Sequence, residues 1–342
     1  MIKVGLVGYG FMGGMHSQCY QATGKAKIVA VADVEADRCD KAAADLNCET
    51  FDSIEAMLES VDVDVVDICT PTYLHEDHVL AVAEAGKHIM CEKPMSLSVE
   101  SCDRMIAATT EAGVKMMVGH VIRFWPEYQV IKELVDSGNF GKAQWASARR
   151  LSPPPTWAWQ GWLSDPEKSG GAILDLHIHD VDFLAYLFGS PKAVFATGVK
   201  STRGAFDSAF TTGLGHSSGT ISYAEGSLAL STPFPFNMAL TVCCENGSIK
   251  FDMAVSPSLM VYPNDGEPFA PEVPEIEVGS SETTGGNISS LGGYYNEIEY
   301  FVNCVADGVE PEIVTPQSAR EAVKICLAAR ESAQSETIVN IA

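Results

Sequence analysis

The sequence predicts an α/β protein in two parts. The first is a doubly wound parallel sheet covered by helices, and the second is an α+β domain with antiparallel strands. Three observations predict it. Short apolar runs alternate with helix-length segments up to Gly119. A glycine-rich turn, Gly8-Tyr9-Gly10-Phe11-Met12-Gly13, directly follows the first apolar run. From Lys192 to Val261 the alternation gives way to short runs broken by turn residues. The 342 residues suit two domains rather than one. They are placed at 1–120 and 121–342, with the last helix able to dock across the boundary.

The elements follow in order. Ile2–Val7 is an apolar strand, and a helix runs from the glycine turn to about Ala22. Lys27–Ala32 is a second strand, ending at Asp33, and Glu35–Leu46 is helical. Val63–Cys69 is a third strand, closed by Thr70-Pro71. Tyr73–Ala85 is a helix stopped by Gly86. Lys87–Cys91 is a strand leading into Glu92-Lys93-Pro94, Ser98–Ala112 a helix and Val114–Val118 a strand. This alternation means a parallel sheet. Beyond it, Pro126–Ser137 reads as helix and Ala143–Arg150 as strand. Leu151–Ser169 reads as an irregular Pro- and Trp-rich stretch, and Ile173–Phe188 as one helix. Turns such as Glu245-Asn246-Gly247-Ser248 mark antiparallel hairpins. Glu267–Asn287 reads as loop, Gly292–Val305 and Gln317–Ser335 as helices, and Ile338–Ile341 as a closing strand.

Composition narrows the function classes. The chain is 46% hydrophobic and 20% charged, as in a soluble globular protein with ample core. Its net charge of −23 leaves no basic surface for nucleic acid or for an anionic membrane. No run of 18 apolar residues is present, and the first apolar stretch reads as a strand rather than a signal peptide. The ten cysteines form no C-x-x-C pair, which fits a reducing cytoplasm without disulfides and gives no zinc-ligand spacing.

Gly8, Gly10 and Gly13 match G-x-G-x-x-G between a strand and a helix. The first permits the turn, the second lets backbone approach a pyrophosphate, and the third lets helix pack on strand. Asp33 lies 20 residues beyond Gly13, at the end of the second strand. A carboxylate there accepts hydrogen bonds from ribose hydroxyls and repels a 2′-phosphate, so NAD is favoured over NADP. Arg38 is read as a helix-surface residue, with contact to a phosphate as the other reading.

The combination of Gly8 to Gly13, Thr70-Pro71 with His75, Ala85-Gly86-Lys87-His88, Glu92-Lys93-Pro94, and Gly170-Gly171 through Asp175, His179 and Asp182 resembles one family. That family is the glucose-fructose oxidoreductase, inositol dehydrogenase and MocA family of NAD(P)-dependent oxidoreductases. The resemblance runs over essentially the whole chain. It implies a Rossmann domain, then a domain with a large, open, mostly antiparallel sheet that commonly forms the oligomer interface, a dimer or tetramer. It implies an active site between the domains. Lys93 would be catalytic, often with a cis Lys-Pro bond, and Asp175 and His179 would complete the site.

Read as chemistry, Asp175 and His179 are four apart and are expected on one face of one helix. His179 suits a general base, Lys93 a donor to the reacting oxygen, and Asp175 an acceptor for a neighbouring hydroxyl or an orienter of the imidazole. His177 departs from the family pattern and reads as structural or as pocket edge. Asp180 and Asp182 are further candidates, Asp182 for positioning. Around the cofactor, Tyr9, Phe11, Met12, Thr70, Pro71, His75 and Glu92 are expected as lining. His120 and Arg123 are substrate-binding candidates, with an inter-domain salt bridge as the second reading of Arg123. Trp157, Trp159 and Trp162 read as a pocket wall for a sugar, or as loop anchors or an oligomer contact. The leading expectation is a dehydrogenase acting on a polyol, cyclitol, sugar or glycoside. Against it stand an NAD-retaining glycosidase working by transient oxidation and elimination, and a non-catalytic NAD-binding sensor.

Overall fold

The computed structural model describes residues 1–200, 206–276 and 291–341. Its first sheet is built from β1 (Ile2–Val7), β2 (Ala26–Ala32), β3 (Glu49–Phe51), β4 (Val65–Ile68), β5 (His88–Glu92) and β6 (Met116–Gly119). Between them run α1 (Phe11–Thr23), α2 (Ala36–Leu46), α3 (Ile54–Ser60), α4 (His75–Glu84) and α5 (Val99–Ala112). The strand order is β3-β2-β1-β4-β5-β6, and every pairing is parallel. The central strands are mainly apolar because helices cover both faces, as in any parallel sheet. Leu6, Val66, Ile68, Ile89, Met90 and Val118 are fully buried. Ser53 and Ser98 cap α3 and α5, accepting from Ala56 N–H and Ser101 N–H.

The rest of the chain begins with α6 (Pro126–Asp136) and β7 (Ala143–Leu151), then α7 (Pro166–Ser169), α8 (Gly171–Asp175) and α9 (Ile178–Phe188). The strands β8 (Pro191–Lys200), β9 (Phe206–His216), β10 (Ile221–Ser227), β11 (Asn237–Cys244), β12 (Gly247–Asp252) and β13 (Leu259–Pro263) follow. The helices α10 (Gly292–Asp307) and α11 (Pro316–Ser335) precede β14 (Val339–Asn340). The second sheet has the order β13-β12-β11-β7-β10-β9-β8-β14 and is antiparallel except where β10 runs parallel to β7. One face carries Ala146, Ala148, Ala196, Ala209 and Ala224, all buried. The other face carries Trp145, Phe195, Phe210, Ile221 and Tyr223, all exposed. Tyr128 fixes α6 edge-on to Phe183 of α9 and Phe251 of β12, with ring centroids 4.8 and 5.2 Å apart.

The chain forms two compact units that interleave along the sequence. One unit is Met1–Phe124, Trp157–Trp162 and Ile276–Arg320; the other is Trp125–Thr156, Leu163–Glu275 and Glu321–Ala342. The helix α10 belongs to the first unit because its buried face, Ile298, Phe301 and Val302, packs against α1. The residues of α11 divide between the units at Arg320. The short β3 and α3 were not foreseen: three and seven residues are too few to show a period. The Leu151–Ser169 stretch holds a 3-10 segment, Trp159–Ser164, as well as α7. Of the expected loop Glu267–Asn287, the part after residue 276 lies outside the described residues. No helix among the described residues is long and apolar enough to cross a membrane. All ten cysteines are free thiols.

The helix expected over Ile173–Phe188 is two helices. Ala172 O accepts from both Leu176 N–H (3.0 Å) and His177 N–H (2.8 Å), so one turn holds an extra residue. His179 N–H then reaches back to Leu176 O at 3.4 Å. Such a widened turn is a π-type break. Asp175 therefore ends α8 while His179 lies in α9, and the four-residue spacing no longer sets their direction.

Asp180, one of the acidic candidates, is structural in this fold. Both its oxygens are held by Arg150 of β7, Nε to Oδ2 at 3.0 Å and Nη2 to Oδ1 at 3.2 Å, with both side chains buried. Burial pushes the Asp180 pKa above the usual carboxylate value, and Arg150 opposes that rise. Replacing Asp180 by Ala removes the charged partner of a buried guanidinium, which costs about 3–5 kcal/mol. Urea unfolding of Asp180→Ala is expected to show that loss; a change below about 1 kcal/mol would rule out the structural role.

Candidate active site

The glycine turn is enforced by contact. Gly8 has φ +90°, and a Cβ there would stand 2.9 Å from Cys69 O. A Cβ on Gly13 would stand 1.9 Å from Gly8 O, which no side chain survives. Gly10 is different: a Cβ there would meet nothing nearer than Arg38 Nη1 at 3.7 Å. The protein itself leaves that space open. Gly10 also caps α1 without a side-chain acceptor, so the first-turn N–H groups and the positive end of the helix dipole suit an anion. These residues fit a dinucleotide.

Asp33 is buried and already holds the turn. Its Oδ2 accepts Tyr9 N–H at 2.7 Å and its Oδ1 accepts Glu35 N–H at 2.9 Å. Each carboxylate oxygen keeps a second lone pair, so ribose hydroxyls can still be accepted. The surface reading of Arg38 is corrected: its Nη1 lies 3.5 Å from Asp33 Oδ2 and faces Gly10. Two of the three tryptophans also belong to this region. The ring of Trp157 lies 4.8 Å from that of Phe11, and Trp159 Nε1 donates to Glu35 Oε1 at 2.8 Å. Trp162 lies in the same segment, half-buried. The order of residues gave no sign that this segment returns to the glycine turn. The acidic residue after Asp33, Glu35, was the partner to look for. Met12, next in the turn, is half-buried.

At the strand ends, Thr70, Pro71 and Lys93 are half-buried. Lys93 is the only partly exposed residue between Ile89 and Ser96. The Lys93-Pro94 peptide is cis. His75 and Glu92, expected as cofactor lining, are buried and have protein partners. His75 is buried, with Nδ1 3.0 Å from Pro94 O and Nε2 2.9 Å from Thr70 O. Burial lowers its pKa. Glu92 is buried against His16. His120 is buried after β6. Arg123 is buried too, and Nη1 donates to Ile313 O at 2.7 Å and Ser318 Oγ at 3.2 Å, both in its own unit.

In the other unit, every residue from Gly171 to Leu184 is buried except Asp175 and His179. His177 fills the space left by Gly226, and its Nε2 lies 2.8 Å from Thr211 Oγ1. Burial alone pushes its pKa down to about 4, so it packs as a neutral ring. Asp182 is buried. Of the five polar groups in this run, Asp175 and His179 are partly exposed and His177, Asp180 and Asp182 are buried.

Comparison with known proteins agrees with this architecture. The family model described as "Oxidoreductase family, NAD-binding Rossmann fold" matches residues 2–120, and that of the "GFO/IDH/MocA C-terminal domain" matches residues 128–250. The chain is 34% identical to 2,7-anhydro-N-acetylneuraminate hydratase of Escherichia coli (strain K12), over 58% of this chain and 53% of that protein. It is 30% identical to UDP-N-acetylglucosamine 3-dehydrogenase of Acidithiobacillus ferrooxidans, over 68% of this chain and 69% of that protein. A solved probable dehydrogenase from Thermotoga maritima superposes with a TM-score of 0.82 at 25% identity, over 99% of this chain and 98% of the other. The chain spans little more than half the length of the first curated relatives it matches.

Asp33→Ala removes the acceptor of two main-chain N–H groups and releases the Arg38 guanidinium. NAD is expected to bind roughly tenfold more weakly or worse, and NADP to gain relative to NAD. Fluorescence titration with NADH and NADPH measures both. An unchanged ratio would show that Asp33 does not face the ribose.

Proposed function

Because the chain belongs to the glucose-fructose oxidoreductase, inositol dehydrogenase and MocA family of NAD-binding oxidoreductases, we propose that it moves a hydride between NAD and a secondary alcohol of a polyol, cyclitol, sugar or glycoside. One observation carries the site assignment. The three residues that the sequence motifs single out, Lys93, Asp175 and His179, are the partly exposed ones within otherwise buried runs. A fold that buries every neighbour and leaves these open supports their use on a ligand.

The glycine turn, Asp33 and the α1 N-terminus would hold the dinucleotide, with Phe11, Trp157 and Trp159 beside the turn. Bound NAD supplies the hydride acceptor. Lys93 Nζ donates to the reacting oxygen and stabilises alkoxide charge as it develops. His179 accepts the hydroxyl proton, and Asp175 accepts a hydrogen bond from a neighbouring hydroxyl. A second reading has its own support: the Escherichia coli relative is named a hydratase, an activity with no net redox change. The same groups would then serve a transient oxidation, with NAD retained between turnovers.

A panel of inositols, free sugars and glycosides separates the readings. NADH absorbance on mixing with NAD supports the dehydrogenase. Product formed without net NADH supports the retained-cofactor reaction. Lys93→Ala and His179→Ala are each expected to lower turnover by roughly 100-fold or more while NAD affinity holds. Unchanged turnover in either would remove that residue from the site.

The exposed face of the second sheet supports a homo-oligomer. Trp145 opposes Ile221, and Tyr223, Thr212 and Phe195 form one row across β10, β9 and β8. Contiguous apolar faces of this kind mark association surfaces. Light scattering is expected to give a dimer or tetramer, and Phe210→Glu with Tyr223→Glu a smaller species. A wild-type monomer would end this proposal.

A further inference from the structure

Beneath the end of β5, four ionisable side chains are sealed from water. His16 of α1, Asp67 of β4 and Glu297 of α10 are 0% exposed, and Glu92 is 6% exposed. His16 Nδ1 lies 2.8 Å from Asp67 Oδ2, and His16 Nε2 lies 3.0 Å from Glu92 Oε1. The second oxygen of Glu92, Oε2, accepts the main-chain N–H of Lys93 at 3.0 Å. His75 holds the following residue by its contact with Pro94 O. The residue with the proposed chemistry is thus fixed from both sides by buried groups.

The protonation of His16 follows from its partners. A neutral imidazole has one N–H, so its other nitrogen would aim a lone pair at a carboxylate. An imidazolium serves both. The contact between Nε2 and Glu92 Oε1 is short but poorly aligned for a hydrogen bond. Coulomb attraction does not need that alignment and is strong in a dry interior. Burial opposes the charge, and the Asp67 carboxylate 2.8 Å from Nδ1 favours it.

The other neighbours stay neutral. Both oxygens of Glu297 lack a hydrogen-bond partner among the described residues, and a buried carboxylate without donors takes up a proton. Burial and Glu92 hold its pKa well above the usual value. Burial also pushes the Cys19 thiol up to about 12 and raises the Cys69 thiol and Tyr20 phenol. Ligand atoms of His16, Asp67 and Cys69 cluster closely enough to suggest a metal. Direct contacts of hydrogen-bond length between them, such as 2.8 Å from His16 to Asp67, account for the cluster without one.

We propose that His16 is a positioning residue: an imidazolium clamped between Asp67 and Glu92, which holds Glu92 so that its far oxygen fixes the main chain of Lys93. This rests on the reading of Lys93 as the donor to the reacting oxygen, and its test separates the two. The full-length protein with bound NAD, labelled with ¹⁵N-histidine, is expected to show His16 with both ring nitrogens protonated at pH 8. The His16→Gln spectrum assigns that signal. In Glu92→Gln, which keeps an acceptor for the Lys93 N–H, His16 is expected to lose its proton at lower pH. Turnover of His16→Gln is expected to fall roughly 10- to 100-fold with NAD affinity unchanged. If His16→Gln does not fold, Glu92→Gln carries both readouts. A single protonated nitrogen at pH 7 in the wild type, or turnover within twofold of wild type in a folded variant, overturns the proposal. If instead Lys93→Ala retains turnover, the underlying reading of Lys93 is what fails.

Discussion

The close approach of α1 to β1, permitted by the absence of side chains at Gly8 and Gly13, is the constraint on which the first unit depends. A Cβ on Gly13 would overlap Gly8 O outright. With none there, the helix sits down on the sheet, and its open N-terminus faces the space above Gly10. One turn later the same seating drives His16 between Asp67 and Glu92, in the interior of the sheet edge. A single steric fact therefore serves both ends of that first helical stretch. It builds the anion-binding turn outside, and it builds the buried charge cluster inside.

The second unit solves a different problem. Its sheet has one covered face and one exposed face, and the helices behind it carry both the packing residues and the proposed polar groups. The widened turn at Ala172 does this. It lets His177 fill the gap at Gly226 and lets Asp180 meet Arg150, while Asp175 and His179 remain partly exposed. An uninterrupted helix would set all five side chains by one fixed rotation per residue. The extra residue breaks that rule where it is most useful.

Much of this was legible in the sequence. Parallel strands buried on both faces announce themselves as apolar runs, and G-x-G-x-x-G with Asp33 marks the dinucleotide turn. Lys93, Asp175 and His179 were picked out by motif. What was not legible depends on contacts distant in sequence. Arg38 looked like a surface residue until its guanidinium was seen beside Asp33. Trp157 and Trp159 were read as a substrate wall, loop anchors or an oligomer contact, and their contacts with Phe11 and Glu35 could not be read from the sequence. The i,i+4 argument for Asp175 and His179 failed because a π-type break leaves no signature in residue spacing. His16 and Glu297 were passed over because a histidine or glutamate within an apolar helix looks the same in sequence whether it is solvated or sealed.

Burial separates the two roles that polar residues play here better than residue type does. Asp180, His177, His75, Glu92 and Arg123 are as chemically able as the proposed catalytic groups, and several lie next to them in sequence. Each is buried, with protein atoms at hydrogen-bond distance, or near it for Glu92 and His16. A group in that state has little capacity left for a ligand, and its loss registers first as instability or displacement. Lys93, Asp175 and His179 retain access to solvent within runs that are otherwise closed. Keeping a charged or titratable group half-open in a dense core forgoes burial that neighbouring positions obtain, which is the feature the proposed function draws on.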